Sequence, residues 1–291
     1  MFRSGFVSII GRPNVGKSTL MNRFVGEKIS IVTPKAQTTR HRVAGILSGD
    51  DYQIVFLDTP GILDPAYKLQ ERMMEAMQAA VRDADLVVYM TDITESPDEV
   101  KNRITALQLH RPCLLVINKM DLLKDRPLDD LLQAYQCFSP VRKVIPVSAT
   151  LGMGMDELLK AILDLLPEGQ PYYPTDEITD RPLRFIVSEI IREKIFLLTR
   201  DEVPYHTAVV IQSYEDKENL TRIRAEIIVS RESQKGIILG EKGRMIREIG
   251  RQAREEIEQL IGRKVFLELF VKVRPGWREN DRFLSSLGYT P

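Results

Sequence analysis

Gly11-Arg-Pro-Asn-Val-Gly-Lys-Ser18 follows the apolar run Phe6-Val-Ser-Ile-Ile10 and leads into Thr19-Leu-Met-Asn-Arg-Phe-Val-Gly26. The first run reads as a buried strand and the last as a helix, so the glycine-rich octet is a turn joining strand to helix. Its spacing, G-x-x-x-x-G-K-[ST], is that of a P-loop. Phosphates need several N–H donors within a small radius, and only a glycine-rich turn brings backbone amides that close; the helix N-terminus adds a favourable dipole. The backbone from Gly11 through Asn14, Val15, Gly16 and Lys17 to Ser18 and Thr19 is therefore a candidate nucleotide cradle. Lys17 would reach the β- and γ-phosphates, and Ser18 would ligate Mg²⁺.

Outward from this turn, short apolar runs alternate with amphipathic ones as far as residue 166. Strands are expected at Phe6–Ile10, Val43–Leu47, Gln53–Leu57, Leu86–Met90, Pro112–Ile117 and Lys143–Val147, with helical stretches at Leu69–Arg82, Asp98–Leu109 and Met155–Leu166. Nearly all-apolar strands spaced by helices indicate an α/β domain with a mostly parallel sheet covered on both faces. Four prolines (Pro167, Pro171, Pro174 and Pro182) then punctuate sixteen residues. Proline cannot continue a helix and stiffens an extended connection. The chain divides accordingly into a nucleotide domain at 1–168, a linker at 169–182 and a second domain at 183–291.

Composition restricts the class without naming it. At 291 residues, 43% hydrophobic and 28% charged, the chain is of ordinary globular make-up and long enough for two cores. No apolar run approaches the 18 or more residues of a membrane span, and the N-terminus lacks signal-peptide flanks, so a soluble cytoplasmic protein is expected. Cys113 and Cys137 fit no metal spacing or disulfide framework and read as buried free thiols. Net charge is zero overall, but residues 181–291 carry +4 and the rest −4. That hints at an anion facing the C-terminal part.

Asp58-Thr-Pro-Gly61 closes the strand candidate ending in Leu57. A carboxylate at that strand end lies beside the P-loop and can hold Mg²⁺, while Gly61 lets its N–H approach the γ-phosphate with no Cβ in the way. Asn118-Lys-Met-Asp121 follows Cys113-Leu-Leu-Val-Ile117. Guanine offers N1–H and N2–H₂ as adjacent donors that an ionised Asp121 accepts together; adenine has no such pair. Asn118 would tie this loop to the P-loop and meet the O6 or N7 side, and the Lys119 stem would cover the base face. Ser148-Ala149 follows the last strand of the domain, where a small residue lets its N–H reach O6. Motifs at successive strand ends are where an open α/β sheet binds ligands.

These motifs, GRPNVGKS, DTPG, NKMD and SA, resemble those of the translation-factor-related GTPases over residues 5–166. The resemblance implies binding of GTP and GDP with Mg²⁺, and GTP hydrolysis in which Lys17, Thr39 and Gly61 take part. Ser18, Thr39 and Asp58 are the implied metal ligands. Thr39 is chosen over Thr38 in the polar stretch Lys35–Arg42 for its place just before Arg40-His-Arg42, and residues 59–72 would form a second switch. One departure matters. Ras-like enzymes carry a water-orienting Gln after the DxxG glycine, where this chain has Ile62. Slow intrinsic turnover is expected, with Asn14 helping to hold a potassium ion beside the phosphates, as in related GTPases with an apolar residue here.

Beyond residue 183 the pattern reads helix (183–199), strand (206–214), strand (221–229), helix (233–239), helix (244–261) and strand (264–273). Gly240-Glu-Lys-Gly243 falls between the two adjacent helices. With 17 glycines in the chain a GxxG says little alone; in this order of elements it resembles the type II KH domain, an α+β RNA-binding fold. Such a loop lets nucleic-acid backbone pass close to two helix ends, and about four nucleotides of single-stranded RNA are splayed along the adjoining groove. The candidate RNA contacts are Lys235, Gly240, Glu241, Lys242, Gly243 and Arg244. The stripe Ile246, Ile249, Ala253, Ile257 and Leu260 reads as core, and Trp277 as packing for the C-terminal tail. His41, His110 and His206 form no constellation.

The whole chain, including KAQTTRHR and the tail RPGWREN, resembles a family of bacterial GTPases with this two-domain architecture. That resemblance implies a monomer that binds the 3′ end of small-subunit ribosomal RNA, serves assembly of the small ribosomal subunit, and associates loosely with the cytoplasmic face of the membrane. Two other readings use the same motifs. One is a signalling GTPase acting through protein partners, and the other an RNA-binding protein whose nucleotide domain no longer hydrolyses.

Overall fold

The computed structural model describes residues 1–123, 128–135 and 138–289. By internal contacts they form two units: Met1–Ser30, Thr39–Asp64 and Met73–Asp180 make the first, and Ile31–Thr38, Pro65–Arg72 and the chain from Arg181 onward make the second.

The first unit is built on a six-stranded sheet. Its elements are β1 (Arg3–Gly11), α1 (Lys17–Val25), β2 (Val43–Ser48), β3 (Tyr52–Asp58), the part of α2 (Lys68–Asp83) from Met73 on, β4 (Leu86–Asp92), α3 (Pro97–Ala106), β5 (Cys113–Asn118), α4 (Leu128–Gln133), β6 (Val141–Pro146) and α5 (Met155–Leu165). The strand order is β2-β3-β1-β4-β5-β6. All pairings are parallel except β2 with β3. β4 and β5 are buried along their whole length, which requires cover on both faces. Parallel register puts Ile9 beside Asp58, Gly11 beside Met90 and Asp92 beside Asn118, so the ends of four strands meet along one rim. The nucleotide motifs all lie on that rim.

Residues 169–180 pack along this unit. Gln53 on β3 accepts from the N–H groups of Tyr172 (2.7 Å) and Tyr173 (3.0 Å) and donates to the Tyr173 carbonyl (2.9 Å). On β2 the Ile46 N–H donates to the Ile178 carbonyl (2.9 Å), and the Thr179 hydroxyl donates to the Ala44 carbonyl (2.7 Å). The proline-rich stretch is thus fixed to the sheet chiefly by side-chain bonds from Gln53 and Thr179, with one backbone pair at Ile46 and Ile178.

The second unit carries α6 (Leu183–Leu198), β7 (Ala208–Lys217), β8 (Leu220–Val229), α7 (Glu232–Leu239), α8 (Arg244–Ile261), β9 (Val265–Val273) and α9 (Asp281–Ser286). The sheet order is β7-β8-β9, with β7/β8 antiparallel and β8/β9 parallel. Helical spacing of the apolar residues decides which face of α6 turns inward. Val187, Ile190, Ile191 and Ile195 join Ile249, Ala253 and Ile257 of α8 and Ile223, Ala225 and Ile227 of β8 in one core. The expected α8 stripe is too long at both ends. Leu260 is exposed in the last turn of α8, and Ile246 is only half-buried because it lines an open groove against β9. Trp277 is fully buried, donating from its indole N–H to the His206 carbonyl (3.1 Å) and meeting Phe283 edge-on. Cys113 is a buried free thiol whose pKa burial pushes up to about 12; Cys137 lies outside the described residues.

Candidate nucleotide and RNA sites

The P-loop turns on two glycines. Gly11 (φ +148°) and Gly16 (φ +104°) adopt backbone conformations that L side chains rarely take. A Cβ on Gly11 would fall 2.0 Å from the Met90 carbonyl oxygen, and one on Gly16 would fall 2.3 Å from Asn118 Nδ2. Asn14, in the middle of the loop, also has a positive φ (63°) and is exposed. Val15 is buried, and Thr19 lies half-buried in the first turn of α1.

Lys17 is nearly fully buried and folds back over the loop, its Nζ donating to the carbonyls of Arg12 (2.8 Å) and Gly11 (3.2 Å). Burial pushes its pKa down to about 8, against the pull of Asp58 and Glu95. Three oxygens gather next to it. The Ser18 hydroxyl donates to Asp58 Oδ2 (2.7 Å) and lies 2.8 Å from the Thr39 hydroxyl, which is 3.4 Å from the same carboxylate oxygen. Thr38 faces elsewhere, its hydroxyl bonded to Thr33 (2.6 Å) and the Lys35 carbonyl (2.7 Å). Asp58 is fully buried, and its Oδ1 has no hydrogen-bond partner among the described residues. Burial pushes the Asp58 carboxyl up, opposed by Ser18 and Lys17. A buried carboxylate with an unused oxygen, beside two hydroxyls, is the hard, all-oxygen donor set that Mg²⁺ takes with phosphate and water completing its shell. Ser18, Thr39 and Asp58 fit that ion.

Gly61 is buried, and its surroundings give a further reason for glycine. A Cβ there would meet the backbone of Pro13 at 2.6 Å (N) and 2.8 Å (Cα), so the P-loop itself forbids a side chain. Next to it, the Ile62 N–H donates to the Gly11 carbonyl (3.0 Å).

At the base-reading end, Asn118 joins three loops. Its Nδ2 donates to the Val15 carbonyl (2.8 Å) and its Oδ1 accepts from the Ala149 N–H (2.9 Å), both buried. The Ala149 N–H, expected to reach O6, is thus directed at Asn118. Lys119 adopts a positive φ (64°) and its Nζ pairs with Asp92 Oδ2 (2.6 Å). Asp121 is exposed, with one oxygen accepting from the Ser148 hydroxyl.

Sequence reading passed over the residues that brace this rim. Glu95 is buried, accepting from the Thr91 hydroxyl (2.7 Å) and paired with Arg103 and, at 3.5 Å, Arg12 of the P-loop. Asp92, which holds Lys119, was equally hidden, since neither belongs to a spaced motif.

In the second unit, Gly240–Gly243 forms the turn between α7 and α8. Gly240 (φ +68°) leaves no room for a Cβ, which would sit 2.7 Å from Met245 Cβ. Lys242 also has a positive φ (51°), and Arg247 braces the turn by donating from Nε to the Gly243 carbonyl (3.1 Å) and from a guanidinium NH₂ to the Lys242 carbonyl. Glu241, Lys242 and Arg244 are exposed together on the turn; Lys235 lies apart on α7, half-buried. Beside the turn runs a groove of about 410 Å³ between α8 and β9, lined by Ile246, Arg247, Gly250, Arg254, Phe266 and Leu269 among others. Gly250 is the signal that sequence reading missed: glycine in mid-helix is unfavourable, and here its missing side chain faces Leu269 across the groove, where a Cβ would lie at 3.4 Å.

The comparisons with known proteins agree with this geometry. Residues 6–119 match the family model of the 50S ribosome-binding GTPases, and residues 202–278 match that of the KH domain. The chain is 50% identical to the GTPase Era of Geobacter metallireducens over 99% of its own length and 98% of that protein's. Against the GTPase Era of Lacticaseibacillus paracasei it is 48% identical over 98% and 96%. The chain belongs to the Era family of GTPases. Two solved Era structures superpose at a TM-score of 0.93 with 42% identity, each covering 100% of both chains. One is an Aquifex aeolicus Era variant bound to GDP and AlF₄⁻; the other is Era with MgGDPNP and nucleotides 1506–1542 of 16S ribosomal RNA. Like other Era proteins, this one is a GTPase with a P-loop domain followed by a KH domain.

Proposed function

We propose that this Era-family GTPase binds the 3′ end of small-subunit ribosomal RNA through its KH domain, under control of the bound guanine nucleotide, and so assists assembly of the small ribosomal subunit. The observation that carries the reading is the braced Gly240–Gly243 turn opening onto an apolar, arginine-edged groove. That combination suits single-stranded RNA, whose backbone passes the turn and whose bases enter the groove. A related Era is known bound to nucleotides 1506–1542 of 16S ribosomal RNA.

In the nucleotide domain, Ser18, Thr39 and Asp58 would hold Mg²⁺, which would supply charge neutralisation for the polyphosphate. The P-loop amides and Lys17 bind the polyphosphate, Asp121 accepts from guanine, and Asn118 keeps the base loop and the P-loop in register. Ile62 cannot hydrogen-bond a water molecule. Intrinsic hydrolysis is therefore slow, and Asn14 would help to hold a potassium ion that would supply part of the missing charge stabilisation. Peripheral contact with the cytoplasmic face of the membrane and a monomeric state belong to the same reading.

GTP turnover measured with and without an RNA of the small-subunit 3′ sequence tests it. Binding of that RNA together with faster turnover is expected. Turnover with no RNA binding would instead identify a GTPase working through protein partners.

A further inference from the structure

The sheet of the second unit turns one face to its core and the other to solvent. Along β8, Ile223, Ala225 and Ile227 point into the core, while Arg222 and Arg224 alternate with them on the outer face. Parallel register sets Arg222 beside Phe266, Arg224 beside Glu268 and Glu226 beside Phe270. Phe266 is 50% exposed and Phe270 48%. The Arg222 guanidinium lies 6.0 Å from the Phe266 ring centroid, and that of Arg224 lies 5.5 Å from the Phe270 centroid. The two rings are four residues apart on one strand, or about 13 Å at ~3.3 Å per residue. Strand propensity alone would be met at such positions by threonine or valine, without leaving large apolar rings half bare.

We propose that this outer face is a second RNA surface, on which bases beyond those in the groove stack against Phe266 and Phe270 while Arg222, Arg224 and Lys272 meet phosphates. The proposal rests on the reading of the α8/β9 groove as an RNA site. Phe266 belongs to both surfaces, since it lines the groove and stands on the outer face. A strand leaving the groove over β9, the outermost strand of this sheet, therefore reaches the second surface at Phe266. The chemistry fits bases because every base offers a π-face to an aromatic ring on a sheet, and a neighbouring guanidinium adds cation–π and phosphate contacts.

The face suits a protein partner less well. Charges interleave the rings, with ion pairs between Arg224 and Glu268 (3.5 Å) and between Lys272 and Glu226 (3.7 Å), whereas the centre of a protein interface is depleted of charge. Because Arg224 and Lys272 already face carboxylates, their phosphate contacts add little counterion release, and stacking carries most of the affinity of this surface.

Full-length protein titrated by fluorescence anisotropy with single-stranded RNAs of about four and about twelve nucleotides tests the idea, since a KH groove holds about four. Phe270 is the probe residue, because it is exposed and outside the groove lining. Phe270→Ala should leave the short RNA unaffected and weaken the long one about tenfold, with no change in salt dependence. Phe270→Trp should bind as wild type, and Phe270→Leu should resemble Phe270→Ala. Unchanged long-RNA affinity in Phe270→Ala, or full affinity in Phe270→Leu, overturns the proposal. So does loss of self-association in sedimentation with RNA binding intact. Failure of the groove reading looks different. There, wild type would not bind the short RNA, or Lys242→Glu would leave it bound, and the second surface would fall with it.

Discussion

Replacing Asn118 with alanine removes the amide that joins the P-loop to both base-reading loops, and its effect can be worked from two hydrogen bonds. The Nδ2 bond to the Val15 carbonyl (2.8 Å) and the Oδ1 bond from the Ala149 N–H (2.9 Å) are both buried. Truncation leaves a buried carbonyl and a buried N–H without partners, at about 1–3 kcal/mol each. Water entering the space vacated by the amide offsets part of this, so a net loss of about 2–4 kcal/mol is expected. β5 itself is buried from end to end and keeps its packing. The loss should therefore fall mainly on the loops that the nucleotide brings together, lowering GTP affinity by roughly 30- to 1,000-fold. GDP affinity should fall equally, since Asn118 lies at the base end of the site. Asn118→Asp should rescue little: it can still accept from Ala149, but it sets a carboxylate oxygen against the Val15 carbonyl. Calorimetric titration of both nucleotides, with a thermal melt of each variant, measures these effects. GTP affinity within about threefold of wild type, in a protein of unchanged Tm, would refute the bracing role.

The other expectations concern single side chains. Lys17, with its pKa brought to about 8 by burial, is protonated in the unfolded chain but partly neutral in the folded nucleotide-free protein above that pH. The unfolded state then binds more protons, so stability should rise with pH from about 8 towards the ordinary lysine value, and a Lys17→Met variant should lack this rise. Polyphosphate restores the charge, so GTP binding near pH 8.5 should take up a proton, seen as a buffer-dependent heat of binding. Exchanging K⁺ for Na⁺, or Asn14 for alanine, should slow GTP turnover in a steady-state phosphate-release assay; turnover indifferent to both would remove potassium from the mechanism. Lys242→Glu should weaken RNA binding and flatten its dependence on log salt by about 1 or more, read from titrations at several salt concentrations. Gly250→Ala should raise stability by about 0.5–1 kcal/mol, as for glycine in any helix interior, while lowering RNA affinity by narrowing the groove. Tighter binding in that variant would show that Gly250 is not there to keep the groove open.

How much was legible in the sequence followed from which constraints are local. The P-loop turn, the strand ends at Asp58 and Asn118, and the helix–GxxG–helix order all depend on residues near one another in the chain, and the fold class follows from them. Strand direction was harder. Val43–Leu47 is as apolar as its parallel neighbours, and the antiparallel pairing shows only in the short connection from Ser48 to Tyr52, which is too short for a crossover. Asp92 and Lys119 meet only after strands β4 and β5 pair, and Glu95 and Arg103 lie eight residues apart across the start of α3, so no motif spacing announces either pair. For Gly61 the requirement for glycine was visible but the crowding was not, because the crowding atoms belong to Pro13, 48 positions earlier. Short α4 and α9 left no periodic trace, each being only six residues long.

The stretch from 169 to 180 has a consequence for anyone who shortens this protein. β2 is the outermost strand of its sheet, and its sequence, Val43-Ala-Gly-Ile-Leu-Ser48, is uncharged and mostly apolar. Bare, such a strand is a template for pairing with another copy of itself. The bonds from Ile46 to Ile178 and from Thr179 to Ala44 occupy that template, and the prolines nearby offer no N–H with which to extend the ladder further. A nucleotide domain cut at residue 168 would keep every P-loop contact and yet aggregate, whereas one carried through to residue 180 would retain its own protection against self-assembly.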